Sequence, residues 1–110
     1  MKKIDLKKVE KITGDYEAYL YEHLRNKEAA CVHLQVAFDE YQIDNDKAAF
    51  LLAIKDVANA QGGIRKLAKE TGINREHLYY LFSGKGNPTI DTLTKILKAF
   101  GVHFKLELAA

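Results

Sequence analysis

The spacing of apolar residues predicts three helices in the first 61 residues, separated by brief breaks. We expect Asp15 to cap the first helix, Asn26 the second, and Asp44 or Asp46 the third, which ends at Gly62-Gly63. The apolar positions behind these helices are Tyr16, Tyr19, Leu20 and Leu24, then Ala30, Val32, Leu34, Val36, Ala37 and Phe38, then Phe50, Leu51, Ile54, Val57 and Ala58. In the second helix they wrap more than one face, which predicts that this helix is mostly buried.

The chain from Gly63 to Gly101 predicts two short helices joined by a tight turn, then a glycine-rich loop and a further helix. The residues that define the pair are Leu67 and Ala68 in its first helix, Gly72 and Ile73 in the turn, Asn74 as the cap of its second helix, and Leu78, Leu81 and Phe82 on the inward side of that helix. Two helices this small cannot bury their own apolar face, so the solvent face is free for another role. This is the geometry of a helix-turn-helix, which presents its second helix to the major groove of DNA.

The last segment has a different pattern and predicts a β-strand. Its apolar residues Val102, Phe104, Leu106 and Leu108 alternate with His103, Lys105 and Glu107. A lone strand needs a partner for its backbone groups, and we favour the same strand of a second copy, which would give a two-fold dimer. The alternative partner is the N-terminal segment, where Ile4, Leu6 and Val9 partly alternate.

These elements together predict a mainly α protein, a small helical domain with a helix-turn-helix and a short C-terminal β-strand. Residues 1–61 form the N-terminal helical region of this prediction, and residues 62–110 form the helix-turn-helix DNA-binding region with the strand. The two regions are expected to share one compact domain, since Gly62-Gly63 is a helix junction rather than a flexible linker.

The stretch LAKETGINREHLYYLFSGKGNP, from Leu67 to Pro88, resembles the helix-turn-helix of the lambda-repressor/Cro-like (XRE-type) regulators. The resemblance rests on the Leu-Ala pair, the Gly-Ile turn, the helix from Asn74 and the loop that ends at Pro88. With DVANAQGG before it and GNPTIDTLTKILKAFGV after it, the chain also resembles the addiction-module antidote proteins, the antitoxins of toxin–antitoxin operons paired with RelE/ParE-like toxins. The resemblance implies a repressor of its own operon that neutralises such a toxin.

The repressor-like pattern also implies which residues contact DNA. The base-reading candidates are Arg75, Glu76 and Tyr80, with Tyr79 beside them. The phosphate-contacting candidates are Arg65, Lys66, Lys85 and Asn87, with the backbone amides around Gly84 to Gly86. Asn74, at the start of the helix, completes the set of DNA-binding candidates. The chemistry is suitable, because Arg can bind guanine O6 and N7, Glu can accept from cytosine N4, and Tyr can touch a thymine methyl group.

Two structural alternatives compete with this assignment. Tyr79 and Tyr80 could pack on neighbouring helices, and Arg75 and Glu76 could form a local ion pair without reading DNA. Many relatives carry Gln or Ser at the positions of Arg75 and Glu76, and a small or basic residue at those of the two tyrosines. The operator sequence therefore does not follow from these residues.

Charge is divided unevenly along the chain. Residues 62–110 carry 8 Lys/Arg against 4 Asp/Glu, a net +4, whereas residues 12–61 carry 4 against 9, a net −5. The basic part contains the helix-turn-helix, as attraction to phosphate requires. The acidic part would be repelled by DNA and is better suited to a protein partner or to solvent.

The remaining chemistry points away from an enzyme. The four histidines lie on separate elements without metal-ligand spacing, Cys31 lies in an apolar run, and the Ser83 to Gly86 stretch lacks P-loop spacing, so we expect no catalytic set, metal or cofactor. No apolar run approaches the ~18 residues of a membrane span. The N-terminus lacks the features of a secretory signal, and a single cysteine fits a reducing compartment, so we expect a cytoplasmic protein.

Three functions are therefore weighed from the sequence. The first is an autorepressing antitoxin that acts as a homodimer on an inverted-repeat operator in double-stranded DNA. The second is a stand-alone helix-turn-helix transcriptional regulator without a toxin partner. The third is a protein-interaction module whose helix-turn-helix does not bind DNA, which the modest charge of +4 leaves open.

Overall fold

The computed structural model describes the backbone of residues 6–110 and the side chains of residues 15–110. Within that range the chain forms six α-helices and is mainly α, as the sequence predicts. They are α1 (Leu6–Leu24), α2 (Lys27–Asp44), α3 (Lys47–Ala60), α4 (Ile64–Thr71), α5 (Arg75–Phe82) and α6 (Ile90–Ala99). In the described part of the chain no helix is both long enough and apolar enough to cross a membrane.

Helix α3 lies at the centre of the fold, because it contacts α1, α2, α4 and α5. The five residues predicted as its core stripe are all buried: Phe50, Leu51, Ile54, Val57 and Ala58. Helix α6 contacts α4 and contributes Ile96 and Leu97 to the core. The burial of apolar surface around α3 is therefore what holds the shorter helices in place.

The N-cap predictions are confirmed for α2 and α3. The Oδ1 of Asn26 accepts a hydrogen bond from the amide of Ala29 at 2.9 Å, and the Oδ1 of Asp46 accepts one from the amide of Ala49 at 3.1 Å. The predicted cap at Asp15 is wrong, because α1 begins at Leu6 and Asp15 lies inside it. Leu, Lys and Glu before Asp15 are good helix formers, so the helix extends upstream of the expected boundary.

Helix α2 is not mostly buried, which corrects the sequence prediction. Ala30 and Leu34 are in the core, but Val32 and Val36 are 63% and 50% exposed. The physical reason is that α2 packs against α1 and α3 along one side only. Residues on the opposite side of a 3.6-residue helix then remain in solvent.

The predicted C-terminal strand is also wrong for the chain as described, since residues 6–110 contain no strand. Val102 donates its amide to the carbonyl of Leu97 at 3.0 Å, and Phe104 packs on Phe38 with ring centroids 5.0 Å apart. Beyond these contacts the segment is irregular, because the described residues contain no neighbouring strand with which its backbone could form hydrogen bonds. The alternative partner does not exist either: Leu6 and Val9 belong to α1, and Ile4 lies outside the described residues.

Candidate nucleic-acid interface

The turn between α4 and α5 is built by local hydrogen bonds. Gly72 ends α4 with φ of 73°, a left-handed conformation that glycine adopts without a steric penalty, and donates its amide to the carbonyl of Ala68 at 2.9 Å. The hydroxyl of Thr71 donates to the carbonyl of Leu67 at 2.7 Å and accepts from the amide of Ile73 at 3.2 Å. These bonds fix the direction in which the chain leaves α4.

Helix α5 is capped at one end and anchored along one side. The Oδ1 of Asn74 accepts from the amide of Glu76 at 2.7 Å, as expected of the predicted N-cap. Leu78, Leu81 and Phe82 are buried, and α5 contacts both α3 and α4. The inward side of α5 predicted from the sequence is therefore confirmed.

The other side of α5 faces solvent. Arg75 and Glu76 are exposed there, and Tyr79 and Tyr80 are 57% and 52% exposed. Neither tyrosine is buried among neighbouring helices, so that packing alternative does not describe this structure. Tyr80 does approach the following loop: a Cβ built at Gly86 would lie 3.0 Å from its Cε1 atom. The face combines a cation, a carboxylate and two aromatic hydroxyl groups on two turns of one helix.

The local ion pair weighed for Arg75 and Glu76 is not seen. The ion pairs between side chains of residues 15–110 are Arg25–Glu22 at 3.1 Å and Lys66–Glu70 at 3.7 Å. The charged groups of Arg75 and Glu76 are therefore available to solvent or to a ligand.

Two of the predicted phosphate-contacting residues, Arg65 and Lys66, lie in the first turn of α4 and differ in their surroundings. Arg65 is exposed, with no ion pair in the side chains that are described. The Nζ of Lys66 lies near Glu70 and also donates to the carbonyl of Gln61 at 3.4 Å. Lys66 thus helps to hold the α3–α4 junction, so Arg65 is the better placed of the two for a ligand.

The loop from Ser83 to Thr89 carries Lys85 and Asn87, and both are exposed. The loop packs against the first turn of α3, where the Nζ of Lys47 donates to the Oδ1 of Asn87. Gly84 has φ of 83°, and a Cβ built there would lie 3.0 Å from the Cβ of Ala48. Close packing on α3 therefore sets the position of this loop relative to α5.

Lys47 is a cation beside this site that the sequence prediction did not include. It lies 40 positions before its partner Asn87, so no local motif links the two residues. The fold brings it to the predicted loop because α3 runs beneath α5. A hydrophobic pattern alone gives no signal for such a contact.

Groups of three or more His, Cys, Asp or Glu that could hold a metal ion do not occur among the residues that the structure describes. The single cysteine, Cys31, is exposed on α2.

Comparison with known proteins gives one family. The sequence model of a family described as "probable addiction module antidote protein" matches residues 15–108. A Haemophilus influenzae protein described as an uncharacterized protein is 35% identical over 86 residues, which cover 78% of this chain and 84% of that relative. No solved structure matches this chain.

Proposed function

The chain belongs to the family of probable addiction module antidote proteins, and from this premise we propose that it is an antitoxin that binds operator DNA and represses its own operon. The family description implies a toxin as partner. We further propose that this toxin is RelE/ParE-like and that the protein has no catalytic activity of its own. The observation that supports DNA binding is the exposed face of α5, opposite its buried side.

In this proposal α4 and α5 form a helix-turn-helix of the XRE type, and α5 is the recognition helix. Arg75 would bind guanine O6 and N7 in the major groove, and Glu76 would accept from the N4 amine of cytosine. Tyr79 and Tyr80 would contact thymine methyl groups or the sugar-phosphate backbone. An 8-residue helix is short enough for its outer face to fit within one major groove.

Phosphate contacts would orient the protein on the duplex. Arg65 at the start of α4, and Lys85 and Asn87 in the loop after α5, are the exposed polar groups that support this role. Lys47 adds a cation next to Asn87. Lys66 and Asn74 act mainly through the structure in this proposal, Lys66 at the α3–α4 junction and Asn74 as the cap of α5.

We propose that the DNA-binding form is a homodimer. Two recognition helices would enter successive major grooves about 34 Å apart, so the operator would be an inverted repeat. The C-terminal segment offers apolar groups for such a contact, since Leu106 and Leu108 are 98% and 96% exposed in the single chain. Burying these leucines between two copies would remove apolar surface from water.

The DNA-binding part is tested by fluorescence anisotropy with a labelled duplex from the region upstream of the gene. Arg75→Ala should cost about 1–3 kcal/mol, or about 5- to 150-fold in Kd, if Arg75 contacts a base. The matched control is Arg25→Ala, because Arg25 is also an exposed arginine but lies in the acidic N-terminal part of the chain. Equal Kd values for Arg75→Ala and the wild type would exclude α5 as the reading element.

The toxin-binding part is tested by expressing the protein together with the product of the adjacent reading frame. Co-purification of the two chains, with growth arrest when the neighbour is expressed alone, would support the antitoxin. An upstream duplex bound without any partner would favour the stand-alone regulator instead. Neither a partner nor DNA binding would mean that the α4–α5 unit serves only as scaffold.

A further inference from the structure

The adjacent helices α1 and α2 carry five large apolar side chains that are exposed. On α2, Val32, Val36 and Ile43 are spaced by four and seven residues, so they lie on one face, and all three are exposed. That face is opposite the side of α2 that packs against α3. On the adjacent helix α1, Tyr16 and Tyr19 are also exposed and lie one turn apart. We call these five residues the hairpin face.

The two helices that carry the hairpin face are rich in carboxylates. Residues 15–44 carry 7 Asp/Glu against 2 Lys/Arg, a net −5. Both cations in this range have partners in the chain itself: Arg25 pairs with Glu22 at 3.1 Å, and Lys27 donates to the carbonyl of Phe100 at 3.2 Å. The segment that carries the hairpin face is therefore strongly acidic.

This charge decides which class of partner the hairpin face fits. DNA and anionic membranes would be repelled by the carboxylates. A second copy of this chain, packed face to face, would bring two acidic surfaces together, and like charges across an interface oppose association. A protein with an apolar groove rimmed by Lys and Arg satisfies both the apolar residues and the charge.

From this complementarity we infer that the hairpin face is the surface that binds the toxin, and that the toxin presents a basic-rimmed apolar groove to it. The inference rests on the proposed antitoxin function and adds the location and chemistry of the contact. Toxin and DNA then bind different surfaces, the acidic α1–α2 hairpin and the α4–α5 unit. A ternary complex with operator DNA follows as a consequence.

The test measures the affinity of the purified protein for the product of the adjacent reading frame, using two kinds of variant. Val32→Ser with Val36→Ser removes apolar groups from the hairpin face, and Asp39→Lys with Glu40→Lys reverses charge beside it. Both pairs are exposed, so the fold should persist, and an unchanged circular-dichroism spectrum and Tm would verify that it does. Each double variant should weaken toxin binding by about tenfold or more.

The two variants should differ in kinetics. Charge reversal should lower the association rate and its salt dependence, whereas the serine variant should raise the dissociation rate. The matched control is Ile90→Ser, which removes an exposed apolar side chain at the start of α6, away from the hairpin face; it should leave toxin affinity unchanged.

Wild-type toxin affinity in both double variants would overturn the inference while leaving the antitoxin function intact, particularly if Arg75→Ala or Ile90→Ser weakened toxin binding instead. A wild-type protein that does not bind the neighbouring product would overturn the antitoxin function, and this inference with it. The two failures are therefore distinguishable in a single set of titrations.

Discussion

Substitution of Asn74 tests whether one local hydrogen bond, the N-cap of α5, stabilises this helix and the fold. Its Oδ1 accepts from the amide of Glu76 at 2.7 Å, at the start of a helix of 8 residues. A helix this short is marginal on its own, so it depends on its cap and on tertiary packing. Asn74→Ala removes the acceptor and should lower the free energy of unfolding by about 1 kcal/mol.

For a domain of this size, that loss corresponds to about 4 °C in Tm. Thermal unfolding followed by circular dichroism at 222 nm would resolve it, and urea unfolding should show a lower midpoint with an unchanged m-value. Asn74→Asp is the matched variant, because a carboxylate keeps the acceptor and interacts favourably with the helix N-terminus. It should retain the Tm of the wild type.

The same pair of variants separates stability from DNA binding. Because Asn74 directly precedes the proposed recognition helix, a new negative charge at this position in Asn74→Asp should weaken operator binding by repulsion although the fold stays stable. Two results would refute the reasoning. An unchanged Tm in Asn74→Ala would mean that the cap does not sustain α5, and an Asp variant as unstable as the Ala variant would mean that the acceptor is not the important group.

Three further predictions concern the packing and charge around the core. Gly84→Ala should lower the free energy of unfolding by about 1–2 kcal/mol, because φ is 83° there and the new Cβ would lie 3.0 Å from the Cβ of Ala48; urea unfolding measures this. Leu78→Ala should cost about 2–5 kcal/mol by the same assay, since this side chain is fully buried where α5 enters the core. Burial raises the pKa of Asp56 above its ordinary value of 3.8, against the opposing effect of His33 and Lys55. The folded state therefore favours the protonated carboxyl of Asp56. The contribution of this group to the free energy of unfolding is fully present below pH 3.8 and is lost as the pH rises through the pKa of the folded state. Asp56→Asn should then raise the urea midpoint at pH 7, and the gain should shrink as the pH falls toward 4.

Each of these predictions has a result that contradicts it. A Gly84→Ala variant as stable as the wild type would show that the loop can move away from α3 at no cost. If Leu78→Ala cost no more than about 0.5 kcal/mol, as surface substitutions do, α5 would not be anchored in the core. A gain from Asp56→Asn that grew with acidity would reverse the sign argued for this carboxyl.

The features that were predicted correctly depend on neighbours within one helical turn. Asn26 and Asn74 cap their helices because a side-chain oxygen needs only an amide two or three residues ahead. The core stripe of α3 and the buried side of α5 follow from the helical period, which the sequence carries directly. The site residues Arg75 and Glu76 were predicted as exposed for the same reason, while their role on DNA stays a prediction.

One missed feature, the start of α1, has a local cause, and the other, the C-terminal strand, depends on contacts between distant parts of the chain. The predicted start of α1 was wrong. Asp is a residue type that favours the N-cap position, but the residues before Asp15 continue the helix. Alternating residues after Gly101 resemble a strand, yet a strand exists only where another backbone pairs with it. Within the described residues this segment has no such neighbour and packs Phe104 on Phe38 instead.

The sequence by itself determined the helical class, the caps at Asn26 and Asn74, and the inward sides of α3 and α5, because these follow from hydrogen bonds and periodicity within a few residues. Only the tertiary structure decided which helix faces are covered. It left Val32 and Val36 in solvent, brought Lys47 to Asn87, and directed Lys66 to the α3–α4 junction. Whether a helix face is buried depends on neighbours that are tens of residues away in the sequence. Their positions depend on the packing of the whole core around α3.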